Sequence, residues 1–119
     1  MDATVSSLYI YPDSDSPGQQ LDSVEFTETG PRGNRAKKHA VHLICADDYV
    51  KTHPKANVIL DIGSDALVEL VGKAVKLGEA TLRVTREPTE CLGVYAEVVR
   101  TGEVAIGDRL LVADDEPPT

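Results

Sequence analysis

Short alternations of apolar and polar residues, separated by turn-forming residues, run along the whole chain. Residues 4–11 put Leu8 and Ile10 on one face of an expected strand and Tyr9 and Tyr11 on the other. The stretch from Pro12 to Gly18 is a loop by composition, and Val24 and Phe26 alternate with Glu25 and Thr27 in a second strand. Two glycines, a proline and an asparagine between Thr29 and Arg35 argue against regular structure there. Residues 40–45 form an apolar run suited to a buried strand. Asp47 can cap a short helix over 48–53 that Pro54 would end. A further strand is expected over 57–62. Ser64 opens a helical turn through Val71, with Gly72 as its stop. The clearest strand is 79–86, where Ala80, Leu82 and Val84 face one way and Thr81, Arg83 and Thr85 the other. After Pro88 the period changes, because Cys91, Val94, Tyr95 and Val98 carry the spacing of one helix face, with Gly102 as terminator. Two last strands around Val104 and Leu110 are divided by Gly107-Asp108.

This pattern predicts six or seven strands and two or three short helices. The fold class is mainly β (α+β), a barrel or sandwich rather than a parallel α/β sheet. Residues 1–113 read as a single domain and 114–119 as a flexible acidic tail. With 119 residues, the chain can bury roughly two-thirds of its unfolded surface without disulfide or metal staples. Hydrophobic residues make up 41%, but Tyr and Phe together number five and Trp is absent, so the core must rest on Val, Leu, Ile and Ala. A formal charge of −8 disfavours nonspecific binding to nucleic acid or to an anionic membrane. Arg32, Arg35, Lys37 and Lys38 nevertheless fall close together, and a local anion site fits an acidic protein. The opening residues have neither the basic start nor the apolar core of a secretory signal, and no apolar run reaches membrane-helix length. A cytoplasmic chain with reduced thiols is the expectation.

The candidate chemistry is sparse. No serine-hydrolase elbow, phosphate-loop or dinucleotide-binding pattern is present. His39, His42 and Cys45 are residue types that zinc takes, and on a helix they could line one side. On a strand, residues three apart face opposite ways, and His39 and Cys45 would lie about 20 Å apart. No metal site is read from them. Cys91 is more informative. With Thr89 as N-cap it would sit in the first turn of a helix, where the dipole favours thiolate, while Glu87 and Glu90 act the other way. Simple packing against Val94 and Tyr95 is the plain alternative.

The order of segments resembles the MOSC domain family, named for the C-terminal part of molybdenum-cofactor sulfurase. The resemblance is carried by Leu8-Tyr-Ile-Tyr-Pro12, Gly30-Pro-Arg-Gly33-Asn34-Arg35, Asn57-Val-Ile-Leu and Gly78-Glu-Ala-Thr-Leu-Arg-Val-Thr85. It continues through Pro88-Thr-Glu-Cys91 and the stretch from Gly93 to Gly107-Asp108. It implies a MOSC-like β-barrel whose pocket cysteine, matched by Cys91, binds or transfers sulfur or ligates molybdenum. It also implies molybdenum cofactor as a candidate cofactor. The chain departs from the family at Asn34, where members usually carry Asp, and at Asp13 and Asp15, where many cofactor-binding members carry a lysine-containing segment.

A thiol-dependent enzyme is therefore expected. Cys91 would serve as nucleophile, sulfur carrier or metal ligand, and His39 would move protons. Arg32, Arg35 and Lys37 would hold a small anionic, molybdopterin-related or other substrate, with Asn34 and Asn57 orienting it. A sulfur-donor protein such as a cysteine desulfurase is the expected partner. The alternatives are a non-catalytic ligand-binding or carrier module on a degenerate barrel, and a partner-dependent scaffold.

Overall fold

The computed structural model describes residues 3–13, 17–35, 39–52, 55–88 and 92–112. In chain order the elements are β1 (Ala3–Ile10), β2 (Gln19–Leu21), β3 (Ser23–Thr27), β4 (Gly30–Pro31), β5 (Val41–Cys45), α1 (Ala46–Thr52) and β6 (Val58–Leu60). They continue with α2 (Ser64–Val68), β7 (Ala74–Leu77), β8 (Ala80–Arg86), β9 (Val94–Arg100), β10 (Gly102–Ala105) and β11 (Arg109–Val112).

Seven strands close on themselves in the order β11-β7-β8-β9-β5-β6-β1, with β1 pairing back to β11 through Ala3–Leu110. Closure leaves no unpaired edge around the ring. All neighbours are antiparallel except β5 and β6, which run parallel and are joined by α1. Such a pair cannot be made by a tight hairpin and requires a crossover. β2 adds to the outer side of β1, and β10, β3 and β4 form a separate three-stranded sheet. Val24, Phe26 and Val104 of that sheet join the barrel core, where Phe26 has no exposed surface.

The strands obey the two-residue period. On β5, Val41, Leu43 and Cys45 point into the main core, while Ile44 points out and packs with Ile59, Tyr9 and Tyr49 beneath α1. Sheets covered on both faces read as continuous apolar runs, which is why all of β5 is buried. Leu67 and Leu70, from α2 and the turn after it, join the interior. Each fully buried Leu contributes about 1.5–3 kcal/mol relative to an exposed one.

The mainly β class, the barrel and two short helices agree with the sequence pattern, but several elements differ from it. The expected helix after Pro88 is strand β9, bonded to β5 and β8. Val94 and Ala96 face the core and Val98 packs against it, so the same residues also satisfy a period of two, and β-branched valines favour the extended form. Gly102 does not stop a helix; it opens β10. The strands β2, β4 and β7 are additional, and α2 is shorter than expected. β4 falls in the stretch from Thr29 to Arg35 expected to be irregular, because pairing with β3 orders Gly30 and Pro31. Gly63 occupies its N-cap with no side-chain cap, while Ser64 Oγ donates to Asp48 Oδ2 at 3.0 Å. α1 begins at Ala46, so Asp47 lies inside its first turn. The tail beyond residue 112 lies outside the described residues, and no helix among them is long and apolar enough to cross a membrane.

Candidate functional site

The parallel register of β5 and β6 sets His42 beside Asn57, and the antiparallel pairing of β1 with β6 brings Tyr9 to the same place. Asn57 N–H donates to the His42 carbonyl and Tyr9 N–H to the Asn57 carbonyl, both at 2.9 Å. The Asn57 side chain, 2% exposed, completes the joint. Its Oδ1 accepts the His42 N–H at 3.0 Å, and its Nδ2 donates to the Tyr9 carbonyl at 3.2 Å. A longer contact of 3.4 Å reaches Asn34 Oδ1. That oxygen also accepts the Tyr11 N–H at 2.7 Å, while Arg35 N–H donates to the Tyr11 carbonyl at 3.1 Å. Two amides thus tie the end of β1 and the loop after β4 to the beginnings of β5 and β6. Asn34 Nδ2 donates to the Arg35 carbonyl at 3.2 Å, so both side chains are committed largely to backbone.

Above this seam lies an aromatic group. His39 stacks face to face on Tyr95, with centroids 4.0 Å apart and planes 8° from parallel. His42 meets the same ring at 5.3 Å and 60°. His42 is 8% exposed and its Nε2 lies 2.8 Å from the Leu92 carbonyl oxygen. A carbonyl only accepts, so Nε2 carries the proton in this contact.

On the neighbouring face, Tyr9 stacks on Tyr11 at 6.5 Å and on Tyr49 at 5.9 Å. Burial, with smaller effects from Tyr49 and Tyr9, pushes the Tyr11 phenol up from 10.0 to about 12, and its hydroxyl donates to the Ala56 carbonyl at 3.3 Å. The unfolded chain then loses this proton first. The neutral phenol's share of stability is intact below about pH 10 and declines as pH rises toward 12. Urea unfolding should show wild type losing about 1 kcal/mol more than Tyr11→Phe between pH 9 and 11. Parallel curves would remove Tyr11 as the cause.

The basic residues separate. Arg32 donates through Nε at 2.9 Å and through its terminal nitrogen at 2.6 Å to Glu25 Oε1 on β3. That pair lines an open groove of ≈ 440 Å³ with Thr27, Glu28, Thr29 and Thr101. Arg35 is exposed beside the Tyr11–Asn34 seam and makes no ion pair among the described residues. Asn34, Arg35 and Asn57 are therefore gathered at one place, and Arg32 turns toward Glu25. His39 joins the aromatic group over Tyr95. Cys91 and Lys37 lie outside the described residues. The helix meant to supply a dipole to Cys91 is absent, since the residues after Gly93 are strand β9.

Cys45 is buried in the core at 1% exposure, and burial pushes its thiol up. Among the described residues no three His, Cys, Asp or Glu side chains are grouped as metal ligands. The residues the sequence pattern did not single out as one site are His42 and Tyr95. Their signal was a histidine inside the apolar run Ala40-Val-His-Leu-Ile-Cys45, where a polar side chain needs a partner.

Three solved structures share this architecture. YuaD from Bacillus subtilis matches at TM-score 0.74 and 16% identity, over 94% of this chain and 96% of that one. YiiM from Escherichia coli matches at 0.72 and 17%, over 95% and 70%. A hypothetical protein matches at 0.75 and 17%, over 94% and 68%. YuaD and YiiM are MOSC-like proteins. The fold is MOSC-like. At these identities the likeness is one of fold alone. No family model matches the sequence, and no curated protein matches it.

The described residues do not make a molybdenum-cofactor cradle. An anionic pterin phosphate needs uncommitted cations and donors. Arg32 is held by Glu25, the amides of Asn34 and Asn57 are spent on backbone, and exposed Asp13 follows the end of β1. Arg35 alone among these remains without an ion-pair partner within the described residues.

Proposed function

We propose that this MOSC-like chain is a thiol-dependent sulfur-handling enzyme in which Cys91 takes sulfur from a donor protein such as a cysteine desulfurase. In the transfer, the Cys91 thiolate attacks the outer sulfur of a donor persulfide. A Cys91–sulfur bond forms, the donor's sulfur–sulfur bond breaks, and its electron pair leaves on the donor thiolate. The acceptor would be a small anionic molecule held by Arg35 and Lys37, with Arg32 recruited only if the anion displaces the Glu25 carboxylate. His39, stacked on Tyr95, would move the proton.

The observation that carries this reading is the contact between His42 Nε2 and the Leu92 carbonyl. Leu92 follows Cys91 in sequence, and the contact holds Leu92 to His42, whose backbone is bonded to Asn57 and whose ring meets Tyr95, on which His39 stacks.

After incubation with a cysteine desulfurase and cysteine, intact-mass analysis should show one added sulfur on wild type and none on Cys91→Ser. Alkylation of Cys91 should show a midpoint about a unit or more below the ~8.5 of free cysteine. Sulfur-free wild type with an ordinary midpoint would end the proposal. A binding module without chemistry is the second reading, and it draws on the backbone-committed amide of Asn34 where the family usually has a carboxylate. Under it, Cys91→Ser leaves ligand binding unchanged.

A further inference from the structure

We infer that His42 is a positioning residue for the chain segment next to Cys91, which it fixes by donating its Nε2 proton to the Leu92 carbonyl. The inference rests on the reading of Cys91 as the reactive thiol.

The ladder between β5 and β9 runs Val41–Ala96, His42–Tyr95, Leu43–Val94. Leu92 lies beyond its last pair. The His42 side chain therefore does for Leu92 what the backbone ladder does for Val94, and across fifty residues of sequence. The imidazole is itself well fixed. Its backbone N–H and carbonyl are both held by Asn57, and Tyr95 stands against its ring. Gly93 allows the approach, because a Cβ there would lie 2.9 Å from His42 Nε2 and would overlap the Leu43 carbonyl oxygen. A buried ring nitrogen deprived of its partner costs about 1–3 kcal/mol, which keeps the contact closed. The peptide unit between Leu92 and Gly93 thus has one orientation.

The test compares His42→Phe, which keeps the ring and removes the donor, with His42→Gln, whose amide nitrogen can reach the Nε2 position without a titrating ring. Sulfur uptake at Cys91 should fall roughly tenfold in His42→Phe and stay within about threefold of wild type in His42→Gln. By NMR the Leu92 carbonyl carbon should move upfield in the Phe variant only, because that oxygen loses its donor. Cys45, sealed in the core, should stay resistant to alkylation in both. Uptake and the Leu92 carbonyl resonance unchanged in His42→Phe, or equally altered in both variants, would overturn the inference. So would a newly reactive Cys45, which would mean that the ring merely supports the barrel. If wild type takes up no sulfur, the reading of Cys91 falls, and the carbonyl comparison still decides what His42 does.

Discussion

Gly93→Ala is expected to destabilise the protein by about 4 kcal/mol, lowering Tm by roughly 15 °C. Two effects add. Gly93 has φ +94, outside the regions open to L-residues with a side chain, and a residue held there costs about 1–3 kcal/mol. Its Cβ would also overlap the Leu43 carbonyl oxygen and crowd His42 Nε2 and Ile44 Cβ, at 2.9 and 3.2 Å. The carbonyl belongs to a strand in the barrel wall and cannot yield as a surface side chain can. Relief by backbone movement adds about 1–3 kcal/mol. Gly107 supplies the control. Its φ is +92, but no atom lies within 4 Å of a built Cβ, so Gly107→Ala should show the dihedral cost alone. Thermal unfolding of both variants separates the terms: equal losses would mean that close approach contributes nothing at Gly93. Against a total of about 6–18 kcal/mol for a domain of this size, the Gly93 loss is severe.

Much of the fold is legible where burial on one face leaves a period of two. β3 with Val24 and Phe26, and β8 with Ala80, Leu82 and Val84, follow their alternation directly. β9 misleads because Val94, Tyr95 and Val98 fit a helical stripe while Val94, Ala96 and Val98 fit a strand. Local spacing cannot choose between them, and pairing with β5 and β8 does. β7 offers only Val75 and Leu77 between two glycine turns, too little signal without β8 and β11 on either side. The site depends even more on partners distant in sequence. Nothing in a run of basic residues shows that Arg32 turns away from Arg35. The β3–β4 register that sets Phe26 opposite Pro31 brings Arg32 opposite Glu25, and that acid holds it. His42 is recognisable in sequence as a polar residue in an apolar strand, but its partner comes from the approach to β9.

Asn57→Leu, which keeps the branching of the side chain but is bulkier, should cost about 3 kcal/mol or more through what it leaves unpaired and what it crowds. Asn57 Oδ1 is the acceptor for the buried His42 N–H, and Nδ2 donates to the Tyr9 carbonyl. At 2% exposure no solvent replaces either bond, and each orphaned group costs about 1–3 kcal/mol. Asn57→Asp tests the same geometry with charge. One oxygen can still accept from His42, but the other replaces a donor and faces the Tyr9 carbonyl and Asn34 Oδ1. Its loss near neutral pH should therefore equal or exceed that of Asn57→Leu. Asn34→Ala should lose less, about 1–2 kcal/mol, because its side chain is half-buried and its principal duty is the single Tyr11 N–H. Urea unfolding of the three variants gives the order. If Asn57→Leu is as stable as wild type, the amide seam does not hold β1, β5 and β6 together. If it is destabilised, the Leu92 carbonyl carbon should also move upfield, because the same amide anchors the backbone from which His42 reaches that carbonyl.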